Sequence, residues 1–132
     1  MGFVYLENIT ADYGLNRGID MRYRIRATYN DETFEFNLYD HARWLTLLYK
    51  TAGIALSANH VFLKYPLEFV NVYMPSLVGH EAIHVLQARR MKWKYLPTYV
   101  LQAIKAKFIK RNIPMEQEAY GNEHLVTWNI VM

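Results

Sequence analysis

The chain has 132 residues, about half of them apolar, with a formal charge of +3 and no cysteine. That size and composition suit one folded domain with one core and exclude a disordered chain. Lack of cysteine excludes disulfides and thiolate metal sites, so any metal must be held by His, Asp or Glu.

Met1 to Asn8 lacks the basic start and long apolar run of a secretory signal. The uncharged run Thr51 to Leu63 is too short to span a bilayer. A soluble, cytoplasmic protein is the expectation.

Arg22, Arg24 and Arg26 alternate with Tyr23, Ile25 and Ala27, the period of a strand with one wet face. Asn30, Asp31 and Glu32 read as a turn. Phe34, Phe36 and Leu38 then line one side of a second strand, completing a β-hairpin over residues 21–39. Asp40 is placed to cap a short helix over residues 41–50, with Trp44, Leu45, Leu47 and Leu48 inward and Gly53 ending it. Residues 54–64 read as one further strand, closed by Pro66.

Pro75 and Ser76 open a helix running to about Met91, with Ser76 as N-cap. Pro97 sits in the first turn of a second helix reaching about Arg111, and Pro114 in that of a third reaching about Trp128. Strands followed by helices predict an α+β domain.

Residues 80–84 read His-Glu-Ala-Ile-His. On a helix, positions i and i+4 share a face, so two imidazoles reach one metal ion, and Glu81 lies where it can approach a water on that ion. Against this stands a helix that merely carries two histidines and a glutamate. A catalytic zinc site needs a third protein ligand. The candidates are Glu116, Glu118, Glu123 and His124, all in the last predicted helix. Glu118 is preferred because it is clear of the frayed first turn, while Glu116 points about 200° away on the wheel. Acidic residues early in a helix also simply complement its dipole.

With zinc at His80, His84 and Glu118, the bound water becomes acidic near neutrality and a substrate carbonyl is polarised. Glu81 would take the water proton and pass it to the leaving amine. Tyr95, Tyr99, Tyr120 and His124 are candidates to steady an oxyanion, although each tyrosine taken singly reads first as a core residue.

Gly79-His80-Glu81-Ala82-Ile83-His84-Val85-Leu86-Gln87, followed by Ile113-Pro114-Met115-Glu116-Gln117-Glu118-Ala119-Tyr120, resembles the small gluzincin metallopeptidases, or minigluzincins. The resemblance covers residues 53–123. It implies a zincin-like fold, a polypeptide substrate, and zinc bound by the second glutamate of Glu-x-Glu-Ala, here Glu118. It also implies that Ala55 to Phe62 borders the cleft and that substrate adds to it as a strand. Asn122 replaces the Asp that many gluzincins place four residues after the ligand, which weakens support for the first histidine. The alternative function is a weakly active or inactive zinc-binding interaction module of gluzincin shape.

From Ala82 to Met115 there is no Asp or Glu, but there are eight Lys and Arg. A membrane-surface role is weighed against a solvated cationic face over a buried stripe of Tyr99, Val100, Ala103, Ile104 and Phe108, and the solvated face is preferred. Nothing resembles a nucleic-acid motif. His41 and His60 stand outside the metal motif, although His60 borders the cleft if its strand does.

Overall fold

A computed structural model describes residues 22–47 and 52–131. The amino-terminal segment read for a signal, and the end of the short helix with Leu48, lie outside the described residues; so do the side chain of Leu47 and residue 51.

The hairpin forms as the alternation predicts. Strand β1 (Arg22–Tyr29) pairs antiparallel with β2 (Glu32–Tyr39), with Ile25 opposite Phe36 and Ala27 opposite Phe34. Asn30 and Asp31 make the connection at φ 57° and 65°, a left-handed pair that Asn and Asp tolerate better than most residues. Ile25, Ala27, Phe34, Phe36 and Leu38 are buried on one face. On the other, Arg24 and Arg26 donate to the Glu35 carboxylate at 3.2 and 3.0 Å.

Beyond the hairpin the chain departs from expectation. Residues 43–47 form a 3-10 helix in which Leu45 is buried and Trp44 stays exposed. Asp40 reaches further along the chain than expected: its Oδ2 accepts from the Leu67 amide at 2.9 Å and so caps a further helix, α1 (Leu67–Tyr73). The single strand expected over 54–64 is a tight pair, β3 (Gly53–Ala55) and β4 (His60–Leu63), and Gly53 opens a strand instead of ending a helix.

Helix α2 (Leu77–Met91) begins after Ser76, whose side chain makes no capping bond. It stops where Lys92 takes φ 55°. Helix α3 (Tyr95–Lys105) ends six residues before Arg111, cut off by positive φ at Lys107 and Phe108. Helix α4 (Pro114–Asn122) is also short: residues 123–125 form a 3-10 turn, and Trp128 belongs to β5 (Thr127–Ile130), antiparallel to β1.

The sheet order is β3-β4-β2-β1-β5, and the fold is α+β. Its core joins the hairpin's apolar face to Leu67 and Val70 of α1 and to Val78, Ala82, Val85 and Leu86 of α2. A second cluster, Ala88, Tyr95, Ala103, Ile113 and Met115, packs α3 and α4 against the far end of α2. Helix α3 turns Tyr95 and Ala103 inward, so Val100, Ile104 and Phe108 of the expected buried stripe are exposed. Arg89 reaches back over the Phe34 ring to the Glu35 carbonyl, tying α2 to the hairpin.

Candidate metal centre

Helix α2 is buried from Val78 to Ala88, an unusual length for a helix carrying two histidines and a glutamate. Burial of polar groups is tolerated where partners are present, and both ring nitrogens of His80 and of His84 have them. His80 and His84 project from the same face as the i, i+4 spacing requires. Their Nε2 atoms lie 2.8 and 2.9 Å from one oxygen, Oε1 of Glu116. Ligand atoms of these three buried residues lie within 4.8 Å of one another.

The structure therefore brings Glu116, not Glu118, to the histidines. The two glutamates stand on opposite flanks of α4. Glu118 points to Gln87, whose Nε2 donates to its carboxylate at 2.7 Å and to the Met115 carbonyl at 3.0 Å. With its amide nitrogen facing two acceptors, Gln87 must present Oε1 to His84 Nδ1, 2.7 Å away. Glu118 thus acts at one remove, by fixing Gln87 and through it the His84 ring.

The carboxylate supporting His80 also differs from expectation. Asn122 donates to the Glu118 carbonyl at 2.8 Å and does not reach the ring. Glu123 does: its Oε1 is 2.9 Å from His80 Nδ1. The close approach depends on Gly79, where an added Cβ would lie 2.7 Å from the Glu123 carbonyl oxygen. His-Glu-Ala-Ile-His is preceded by this glycine in the sequence, a signal that something packs tightly on α2 one residue before the first histidine.

Both Nδ1 atoms face oxygen acceptors and so carry hydrogens. This leaves both Nε2 lone pairs aimed at the Glu116 carboxylate. Three acceptors converging on one point repel unless a cation sits among them, whether protons on the rings or a metal ion. Burial, the largest single effect, would lower the pKa of His80 and His84, but the bonds to Glu116, the Glu81 charge and the partners of the Nδ1 atoms together outweigh it and hold both above the ordinary imidazole value. Burial likewise would raise Glu116, but the two imidazoles overcome it and drive the carboxyl far below the usual range. Tyr99 donates its hydroxyl to the other Glu116 oxygen at 2.5 Å. The N2O donor set suits a divalent metal such as zinc. Ligands of a tetrahedral zinc stand roughly 3.3 Å apart, so the observed contacts need to open by only about half an ångström.

Glu81 lies on the neighbouring side of α2, buried beside Gly53 of β3, where an added Cβ would come within 3.2 Å of its Oε2. Burial raises its pKa, outweighing the attraction of the two imidazoles. Two cavities of about 370 and 330 Å³ flank it, sharing Gly53, His80, Glu81 and Lys110 in their walls. The first also has Tyr120, the second Tyr95, Tyr99 and Phe108. The Tyr120 ring packs tilted against His80, with centroids 4.5 Å apart and planes at 52°, and lies half exposed at the cavity. Tyr95 donates to the Ala55 carbonyl at 3.1 Å and Tyr99 is committed to Glu116, while His124 is exposed. The Tyr99 ring also meets His84 edge-on at 6.2 Å, but its hydroxyl is committed to Glu116, which leaves Tyr120 as the oxyanion candidate beside a site histidine.

The sheet edge beside the cavities is β3, with β4 one strand further in, so Gly53 to Ala55 borders the cleft while Val61 and Phe62 do not. His60 bonds Ser57 at 3.0 Å and stacks on Tyr39, and His41 lies 3.7 Å from the Asp40 carboxylate. Neither joins the site. Comparison of the chain with models of known protein families, with curated proteins and with solved structures finds no match.

Proposed function

We propose that the protein is a zinc-dependent peptidase of gluzincin type, with His80, His84 and Glu116 as metal ligands and Glu81 as general base. The observation that carries this reading is the coincidence, at one point between two cavities, of an N2O donor set, an adjacent buried carboxylate and an open sheet edge. Zinc bound there would acidify water and polarise a peptide carbonyl.

The chain's own residues supply the rest. In the β3–β4 ladder Leu56 and His60 form a hydrogen-bonded pair, and Ala52 with Lys64 another. Alternation then turns the backbone of Gly53 and Ala55 away from β4; with the Ala55 carbonyl taken by Tyr95, the Gly53 groups and the Ala55 N–H are the ones directed at an extended peptide lying along the edge. Glu81 lies against Gly53 at this edge. Its raised pKa suits a group that takes a proton from water and delivers it to the leaving nitrogen. Tyr120 donates to the carbonyl oxygen as charge develops there. Glu123 and Gln87 hold the two rings in the tautomer that leaves Nε2 free.

The test is cleavage of a fluorogenic peptide library by the zinc-loaded protein and by Glu81→Gln. The expected result is zinc-dependent turnover in the native protein and a loss of roughly 10²–10⁴-fold in the variant, with metal content unchanged. A folded, metallated protein without zinc-dependent cleavage, or a fully active Glu81→Gln, would overturn the reading.

A further inference from the structure

Helix α3 is apolar on both sides. Tyr95 and Ala103 face the core, yet the opposite side carries Leu96, Val100, Leu101 and Ile104, continued by Trp93 before the helix and Phe108 after it. Their exposure runs from 50% at Leu96 to 78% at Trp93, which makes this a continuous greasy surface rather than scattered single residues. The same stretch of chain carries Lys92, Lys94, Lys105, Lys107 and Arg111, all exposed, and the half-buried Lys110. No acidic residue occurs between Ala82 and Met115, and none of the six cations forms an ion pair among the described residues.

We propose that this face docks on an anionic lipid surface. An apolar helix side with Trp, Phe and Leu, rimmed by lysines whose stems reach back toward the headgroups, is what an interfacial helix needs. The charge argues against a neutral bilayer, and the aliphatic stripe against nucleic acid, which would be met by cations and stacking rings without Leu and Ile. No helix among the described residues is long and apolar enough to cross a membrane, so the contact is peripheral. Leu96, Phe108 and Lys110 also line the cavities beside Glu81, so docking brings the cavity mouth next to the lipid. The proposal stands on the surface alone and does not depend on peptidase activity.

The test is co-sedimentation of the full chain with phosphatidylcholine vesicles, with and without phosphatidylserine, at low and high salt. Binding is expected to the mixed vesicles only, weakened by salt, with roughly fivefold lost per engaged cation removed. Leu101→Asp with Ile104→Asp should reduce partitioning at least about tenfold. Lys105→Gln with Lys107→Gln should also weaken it and, removing no apolar group, serves if the first pair fails to fold. Absence of binding to phosphatidylserine vesicles, or equal binding by both folded variants, overturns the proposal. So does a solution dimer that the Leu101/Ile104 pair dissolves, which would give the face to a second copy of the chain.

Discussion

Replacing Glu116 and Glu118 separately by Gln distinguishes the ligand that the geometry favours from the one the family resemblance implies. Glu116 touches both imidazoles and Glu118 neither. A structural zinc site contributes about 10–16 kcal/mol over its four ligands, so one ligand is worth about 3 kcal/mol. Because 1.4 kcal/mol is tenfold, Glu116→Gln should weaken zinc binding by roughly 10²-fold or more. Glu118→Gln keeps an oxygen for Gln87 and acts only through it, so the loss should stay within about tenfold. The assay is zinc competition with a chromophoric chelator, with circular dichroism to show that each variant is folded. Zinc lost by Glu118→Gln and retained by Glu116→Gln would refute the assignment, and would mean that α4 sits in a different rotation against α2.

The same logic separates the residues beneath His80: Glu123→Ala should lower zinc affinity about 10–100-fold, whereas Asn122→Ala should change it little, as chelator competition will show. Gly79→Ala sets a 2.7 Å contact with the Glu123 carbonyl against the better helix propensity of Ala. The contact should win, costing about 1–2 kcal/mol net in urea unfolding and loosening zinc through Glu123. Gly121, where an added Cβ meets nothing within 4 Å, is the control, and Gly121→Ala should stabilise by about 0.5–1 kcal/mol. Without metal, the raised histidines stabilise the fold fully below 6.5 and lose that contribution as pH rises through their folded values. The raised Glu81 has the same sign, its contribution fully present only below 4.5. The depressed Glu116 contributes above 4.5 and loses it only on acidification. Thermal melts in chelator should therefore be highest on the acid side of neutrality and fall toward alkaline pH, whereas with zinc they should rise there, because protons compete with the metal. A metal-free melting temperature that climbs between about pH 6 and 8 would contradict this account.

What was legible in the sequence was mostly what local pattern controls. Alternating Arg with Tyr, Ile and Ala fixes the face of β1, and Phe34, Phe36 and Leu38 that of β2, because a one-residue slip would bury arginines. The i, i+4 histidines and the helix starts at Ser76 and Pro114 are equally local. Long-range partners account for what was missed. Thr127, Trp128 and Ile130 are good strand formers, but only the open edge of β1 makes them a strand instead of the end of a helix. Asp40 looks like a cap for whatever follows it, yet the amide it caps is 27 residues away.

The choice between Glu116 and Glu118 shows why the site itself was harder to read than the motif. On α4 the apolar anchors are Met115 and Ala119, both buried. At 100° per residue, the two glutamates fall roughly 80° to either side of the direction those anchors define. Helical periodicity alone is therefore neutral between them. The decision comes from which surface of α2 each flank meets. On one flank lie the paired imidazoles. On the other, Gln87 donates both to the Glu118 carboxylate and to the Met115 carbonyl. The backbone bond from Gln87 fixes the rotation and height of α4, and Tyr99 and Gln102 of α3 add to it by holding Glu116 and the Met115 amide. A swap of ligands would require Gln87 to release both partners and Tyr99 to lose its acceptor at once. That concerted cost is what makes Glu116 the residue held between the histidines.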